Sequence, residues 1–166
     1  MNPFRLTLRP ALLADIGAMM AIERSTDYEF YVARSDEEGH REMLASPAHA
    51  YRVGVGESEA VEAFAILRGV GDPHMNLYLK RIAVAHPGKG VGTVFLGLVL
   101  DEAFGRIGAE RFHLDCFADN LRAQRSYEKL GLTRDGVMRK AYRLVDGTRV
   151  DLVMMAILKT EWERRR

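Results

Sequence analysis

Residues 82–93 read I-A-V-A-H-P-G-K-G-V-G-T, from Ile82 to Thr93. Small and β-branched apolar residues stop at Pro87, glycines alternate with Lys89 and Val91, and a strongly apolar stretch runs on to about Ile107. The pattern predicts a strand, a glycine-rich loop and the start of a helix. At such a junction backbone N–H groups converge on the positive end of the helix dipole, which suits a phosphate. Gly88, Gly90 and Gly92 supply the backbone freedom and the room for close approach, and Lys89 adds a charge. A tight turn without a ligand is the plain alternative. A Walker loop is excluded, because Gly90 stands where that loop requires Ser or Thr after its lysine. The dinucleotide fingerprint G-x-G-x-x-G fails at Thr93, although Asp115 comes roughly 20 residues later in a predicted strand.

Toward the N-terminus, residues 4–9 alternate apolar and polar as a half-buried strand does. Pro10 suits the first turn of a helix with Leu12, Leu13, Ile16, Met19 and Met20 on one face. Ser35, with Glu38 three residues on, signals a capped second helix to about Leu44. Residues 51–55 and 63–67 read as two strands, and 76–85 as a third after the Gly71-Asp72-Pro73 turn. Beyond the glycine loop, 112–117 is a strand and Asp119 an N-cap for a helix that Gly131 closes in the left-handed conformation. Asp146-Gly147 predicts a two-residue type I′ hairpin, whose second strand is almost wholly apolar and therefore central or buried. The order is β-α-α-β-β-β-α-β-α-β-β, an α/β fold with a mixed sheet.

Composition narrows the function classes. The 166 residues amount to about one domain, 1–166, able to bury its own core. Lys plus Arg number 24 against 23 acidic residues, a net charge of +1, so bulk electrostatics give no case for nucleic acid or an anionic membrane. The run Arg164-Arg165-Arg166 reads as a solvated tail. Cys116 is the only cysteine, and the five histidines show no ligand spacing, so no disulfide and no metal site are expected. No secretory h-region and no run of ~18 apolar residues occur, and the expectation is a cytoplasmic protein.

A second motif lies downstream: N-L-R-A-Q-R-S-Y-E-K-L-G-L at 120–132. A strand, G-x-G-x-G-T, a helix and then this segment, in this order and separation, resemble the GNAT N-acetyltransferases. Gly90 and Gly92 match the end of that family's [QR]-x-x-G-x-[GA] loop. Asn120, Ala123, Tyr127, Gly131 and Leu132 match its N-x-x-A-x-x-x-Y-x-x-x-G-[FL] helix. The chain departs from the pattern at Pro87, which stands at the Arg or Gln position, and in a shorter loop. The strand before the loop, L-Y-L-K-R, lacks the Glu that often serves as base. Residues 139–162 resemble the branch of ribosomal-protein and small-amine N-acetyltransferases.

The resemblance implies a single GNAT-like domain, a mixed and mostly antiparallel sheet flanked by about four helices. It implies acetyl-CoA as cosubstrate, a small-molecule or peptide amine as acceptor, and homodimerisation through the last strands. Ile82, Ala83 and Val84 would pair with the pantetheine arm through their backbone at a bulge where the strand splays from its neighbour. Gly88, Lys89, Gly90, Val91, Gly92 and Thr93 would hold the pyrophosphate, and Asn120 and Ala123 would flank the arm. Tyr127 would face the thioester sulfur. Asp115 is the nearest candidate base by topology, with a solvent-facing or Arg-paired carboxylate as its alternative; Glu62 and Glu23 come behind it. Cys116 reads as a buried core residue, since His113 points to the opposite face of its strand. A non-catalytic acyl-CoA-binding module and a dinucleotide-binding oxidoreductase are the rival readings.

Overall fold

The computed structural model describes residues 5–166, so Phe4, the first residue of the expected opening strand, lies outside the described residues. Runs of β-branched and aromatic residues form seven strands: β1 (Thr7–Pro10), β2 (His49–Val55), β3 (Val61–Arg68), β4 (Asn76–Val84), β5 (Arg111–Phe117), β6 (Thr133–Arg143) and β7 (Arg149–Leu158). The helices are α1 (Ile16–Glu23), α2 (Glu37–Ala45), α3 (Val91–Glu102), α4 (Leu121–Lys129) and a short α5 (Lys159–Glu163), which the sequence pattern did not foretell. The strand order is β1-β2-β3-β4-β5-β7-β6, antiparallel throughout except between β4 and β5. That is the expected mixed sheet, and it excludes a doubly wound one. The apolar β7 lies between β5 and β6, as its composition requires.

Two apolar layers form on opposite faces of the sheet. One holds Phe95, Leu96, Val99 and Leu100 of α3 against Leu77, Leu79, Phe112, Leu114 and Met155. The other holds Ile16, Met19 and Ile22 of α1 against Tyr51, Val53, Phe64 and Ile66. Each such fully buried side chain is worth about 1.5–3 kcal/mol, which fixes α3 and hence the loop at its head.

β4 decides where the site lies. It pairs with β5 only over Asn76–Tyr78 against Arg111–His113, and the two strands then part. On its other edge Leu79 faces Leu67 and Arg81 faces Ile66, so Lys80 is one residue too many. Such a bulge bends its strand. It also inverts the facing of the residues after it: Leu77 and Leu79 join the α3 layer, whereas Ala83 joins the α1 layer. The crevice between β4 and β5 is the consequence.

Local expectations shift at several points. Pro10 ends β1 instead of opening a helix; Leu12 and Leu13 are 60% and 58% exposed, and α1 starts at Ile16 after a 3-10 turn. Asp15 causes the delay, accepting the Leu12 N–H at 2.7 Å while paired with Arg9. Asp36, not Ser35, caps α2, its Oδ1 accepting the Gly39 N–H at 2.9 Å. Asn120, not Asp119, caps α4, accepting the Ala123 N–H at 3.2 Å. The apolar run after the glycine loop leaves the α-helix at Glu102 for a π turn over Ala103–Ile107. The hairpin turn is not type I′: Gly147 alone takes positive φ (89°), donating to the Leu144 carbonyl at 3.0 Å, so the connection is the longer kind closed by a left-handed glycine.

Candidate active site

At the head of α3 the N-cap is Gly90, with φ of 84° and no side chain to accept a helix amide. The Thr93 and Val94 N–H groups donate to the Gly90 carbonyl at 3.2 Å. The Val91 and Gly92 N–H groups find no acceptor among the described residues and point out of the helix end, the arrangement that binds an anion. Gly88 (85°) and Gly90 must be glycine for their left-handed backbone. Gly92 is different. A Cβ there would meet only Val84 Cγ1 at 3.9 Å, so the protein itself leaves that space open.

This helix end opens onto a crevice of about 730 Å³ between β4, β5 and α4. Ile82, Ala83, Val84, Gly88, Gly90, Gly92, Thr93, Asp115, Asn120, Ala123 and Tyr127 all line it. Of the residues singled out in the sequence, Lys89, Val91 and the weaker base candidates Glu23 and Glu62 do not: Lys89 is exposed beside the loop, and the Val91 side chain is core. Ala123 and Tyr127 share the face of α4 turned toward the crevice, one helical turn apart. Burial pushes the Tyr127 hydroxyl well above its ordinary pKa, with Cys116, Tyr28 and Asp115 adding to the shift. Cys116 is itself buried, and its thiol is pushed up to about 11, which fits a core residue and not a nucleophile.

The free edge of β4 has an occupant from within the chain. The Tyr28 hydroxyl accepts the Val84 N–H at 2.9 Å and donates to the Val84 carbonyl at 3.0 Å. Because backbone groups of one antiparallel strand alternate direction, Ile82 faces the crevice as Val84 does, while Ala83 turns its amide and carbonyl toward β3. Tyr28 carries no sequence signal; it lies between α1 and α2, and only the tertiary fold brings it to β4.

Asp115 sits where the strands part. Its Oδ2 accepts the Tyr78 hydroxyl at 2.8 Å, and Oδ1 has no partner among the described residues. Burial and this carboxylate keep the Tyr78 hydroxyl protonated, far above its usual range. Glu23, the weaker candidate, is not available: it is fully buried, accepting from Arg81 at 2.7 Å, Arg24 at 2.8 Å and His40 at 3.1 Å. An aromatic wall, Tyr31, Phe117 and Tyr142, edges the mouth with ring centroids 5.9 and 5.0 Å apart. Among the described residues no group of three or more His, Cys, Asp or Glu could hold a metal ion, and no helix is long and apolar enough to cross a membrane.

A helix end whose first amides lack acceptors among the described residues thus lies at a crevice opened by a bulged strand, and comparisons with known proteins say which family shares this frame. Residues 17–132 match the model of the acetyltransferase (GNAT) family, and the chain belongs to that family. It is 31% identical over 105 residues to "Probable N-acetyltransferase YjcK" of Bacillus subtilis (strain 168), a match covering 63% of this chain. That match spans 56%, little more than half, of YjcK. Among solved structures, a spermidine N-acetyltransferase SpeG chimera from Vibrio cholerae and hSSAT superposes with a TM-score of 0.86. It is 20% identical, over 96% of this chain and 99% of the other. Mutant forms of the spermidine/spermine N-acetyltransferase SpeG from Vibrio cholerae give 0.83 at 19% identity, over 96% of this chain and 97% of the other. At those identities the likeness is one of fold.

Proposed function

We propose that this chain transfers an acetyl group from acetyl-CoA to a primary amine by direct attack. The observation that carries the reading is the uncapped head of α3: the Val91 and Gly92 amides lack acceptors among the described residues, and a Cβ-sized space lies open at Gly92, in a crevice that Tyr127 and Asp115 also line. Acetyl-CoA supplies an activated acyl group whose thiolate leaves readily. Residues 88–93 hold the pyrophosphate through their amides, with Lys89 as a nearby screening charge. Ile82 offers strand-like pairing along the free edge of β4, Val84 does so once its two bonds to the Tyr28 hydroxyl break, Ala83 packs beneath, and Asn120 and Ala123 flank the far side. A crevice-facing β4 amide donates to the acyl oxygen as charge develops there.

The amine must be neutral to attack. Asp115 takes its proton on the free Oδ1 while Tyr78 holds the carboxylate in place. The new N–C bond forms as the C–S bond breaks, and Tyr127 donates a hydrogen bond to the departing sulfur. The base comes from β5, which answers the missing carboxylate on β4. A second acceptor class, polyamines, is favoured by the names of the structural neighbours alone.

The test is acetyl-CoA-dependent thiol release with pooled amino acids, polyamines, N-terminal peptides and aminoglycosides. Release with one pool is expected. Stabilisation of the protein by acetyl-CoA without release in any pool would instead mark a non-catalytic acyl-CoA-binding module.

A further inference from the structure

Below the point where β4 and β5 part, a second hollow of about 530 Å³ opens, lined by Arg68, Gly69, Asp72, Asn76, Tyr78, Lys80, His113 and Asp115. Tyr78, Lys80 and Asp115 line the main crevice as well, so the two spaces meet at the candidate base. The proposed function sets the acyl group on one side of that meeting point, so an acceptor reaching Asp115 from the other side occupies this hollow. Its charges therefore select the acceptor.

Those charges are arranged asymmetrically. Asp115 offers a free carboxylate oxygen at the inner end. Arg68 lies across the Tyr78 ring from it, its guanidinium carbon 5.6 Å from the ring centroid, and enters no ion pair among the described residues. Lys80, thrust outward by the bulge, is likewise unpaired among them. Burial, then Arg81 and Arg68, lower the Lys80 pKa, so Lys80 and Arg68 form one positive corner of the hollow. The other acid, Asp72, is held through one oxygen: its Oδ2 accepts the backbone N–H groups of Asn76 at 3.0 Å and His74 at 3.1 Å, while its Oδ1, like that of Asp115, has no partner among the described residues. Burial, reinforced by Arg111 and Arg68 against the opposing pull of Asp115 and Asp135, holds His113 toward its neutral form.

We infer that the acceptor is a small amine that also carries an acidic group, its amine at Asp115 and its anionic end on Arg68 and Lys80. The inference rests on the acetyl-transfer reading and narrows it. A polyamine would bring its remaining ammonium groups toward Arg68 and Lys80 with Asp72 alone to offset them, and like charges so juxtaposed disfavour that partner.

The experiment compares kcat/KM for β-alanine, 4-aminobutyrate and the acidic and neutral α-amino acids with that for spermidine and ethanolamine. At least one carboxylate-bearing amine is expected to exceed spermidine and ethanolamine by tenfold or more. In the Arg68→Gln, Lys80→Gln double variant that ratio should fall at least tenfold, mainly through KM, and Lys80→Arg should restore most of it when Arg68 is kept. Preference for spermidine in the wild type overturns the inference, and so does a ratio the double variant leaves intact. A readout without turnover separates this from failure of the transferase reading: the shift in melting temperature with N-acetylated amino acids against N-acetylspermidine. Stabilisation by the former alone supports the acidic site whatever the turnover, and stabilisation by N-acetylspermidine alone rejects it.

Discussion

Tyr127 is one hydroxyl whose worth depends on its surroundings. A free thiol titrates near 8.5 and a free tyrosine near 10, so full proton transfer to the thiolate is uphill by about 2 kcal/mol before any burial. Burial raises the Tyr127 pKa further, so its proton is held more tightly still. The role proposed for Tyr127 is therefore a hydrogen bond that strengthens as charge develops on sulfur. Tyr127→Phe should lower kcat at least tenfold while the acetyl-CoA dissociation constant barely moves; unchanged turnover would remove Tyr127 from the chemistry. Asp115 is read separately. Asp115→Asn keeps the shape and the Tyr78 contact but cannot take a proton, and kcat should drop about a hundredfold, within the usual range for a general base. Tyr78→Phe only frees the carboxylate to turn, so a milder loss is expected, and an equal loss in both variants would argue against Asp115 as the base.

The strand–loop–helix element separates two kinds of glycine. Gly90 sits at φ of 84°, where an L side chain costs roughly 1–2 kcal/mol, so Gly90→Ala should lower the melting temperature by several degrees. Gly92 lies inside α3 with open space at its Cβ, so Gly92→Ala should leave the melting temperature unchanged or raise it, yet raise KM for acetyl-CoA severalfold. A Gly92→Ala enzyme with unaltered KM would move the pyrophosphate off this helix end. Tyr28 gives the reverse pattern. Its two hydrogen bonds to Val84 must break before anything pairs with that edge, so Tyr28→Phe should tighten acetyl-CoA binding severalfold at a stability cost of about 1 kcal/mol. Legibility in the sequence divides along the same line. The glycine loop and the helix carrying Asn120 and Tyr127 are local signals, because each is read from the spacing of residues close in the chain. The caps of α2 and α4 slipped by one residue, since Ser35 and Asp36, or Asp119 and Asn120, have equally short polar side chains and only backbone geometry chooses between them. Tyr28, Arg68 and Tyr78 were illegible because their partners Val84 and Asp115 lie 56 and 37 residues away for two of these contacts. The bulge at Lys80 exists only in the register between β3 and β4.

Across the whole molecule, one buried carboxylate ties the first helices to the bulged strand. Glu23 ends α1 with its side chain fully buried, and it accepts from His40 of α2, from Arg81 of β4, from Arg24 and from the Ser35 N–H at 3.3 Å. His40 in turn meets the Tyr51 hydroxyl of β2 at 3.2 Å. Burial alone would push the Glu23 pKa up, but the His40 hydrogen bond, the Arg81 charge and the Ser35 amide outweigh it and leave the pKa lowered. A folded pKa below the unfolded value of about 4.3 means that the stabilisation is fully present above that value and is lost as pH falls through the folded pKa. Glu23→Gln keeps the volume but strips Arg81 of its buried counter-charge, a loss of about 3–5 kcal/mol. Urea unfolding of wild type and variant from pH 7 to pH 3 should therefore show a wide gap in stability at neutral pH that begins to narrow below about pH 4. A gap that stays constant would mean that Glu23 holds this network through its shape, not its charge. Because Arg81 directly succeeds the bulge, the charged form also holds the β4 edge that lines the crevice, so in that acid range acetyl-CoA affinity should fall together with stability.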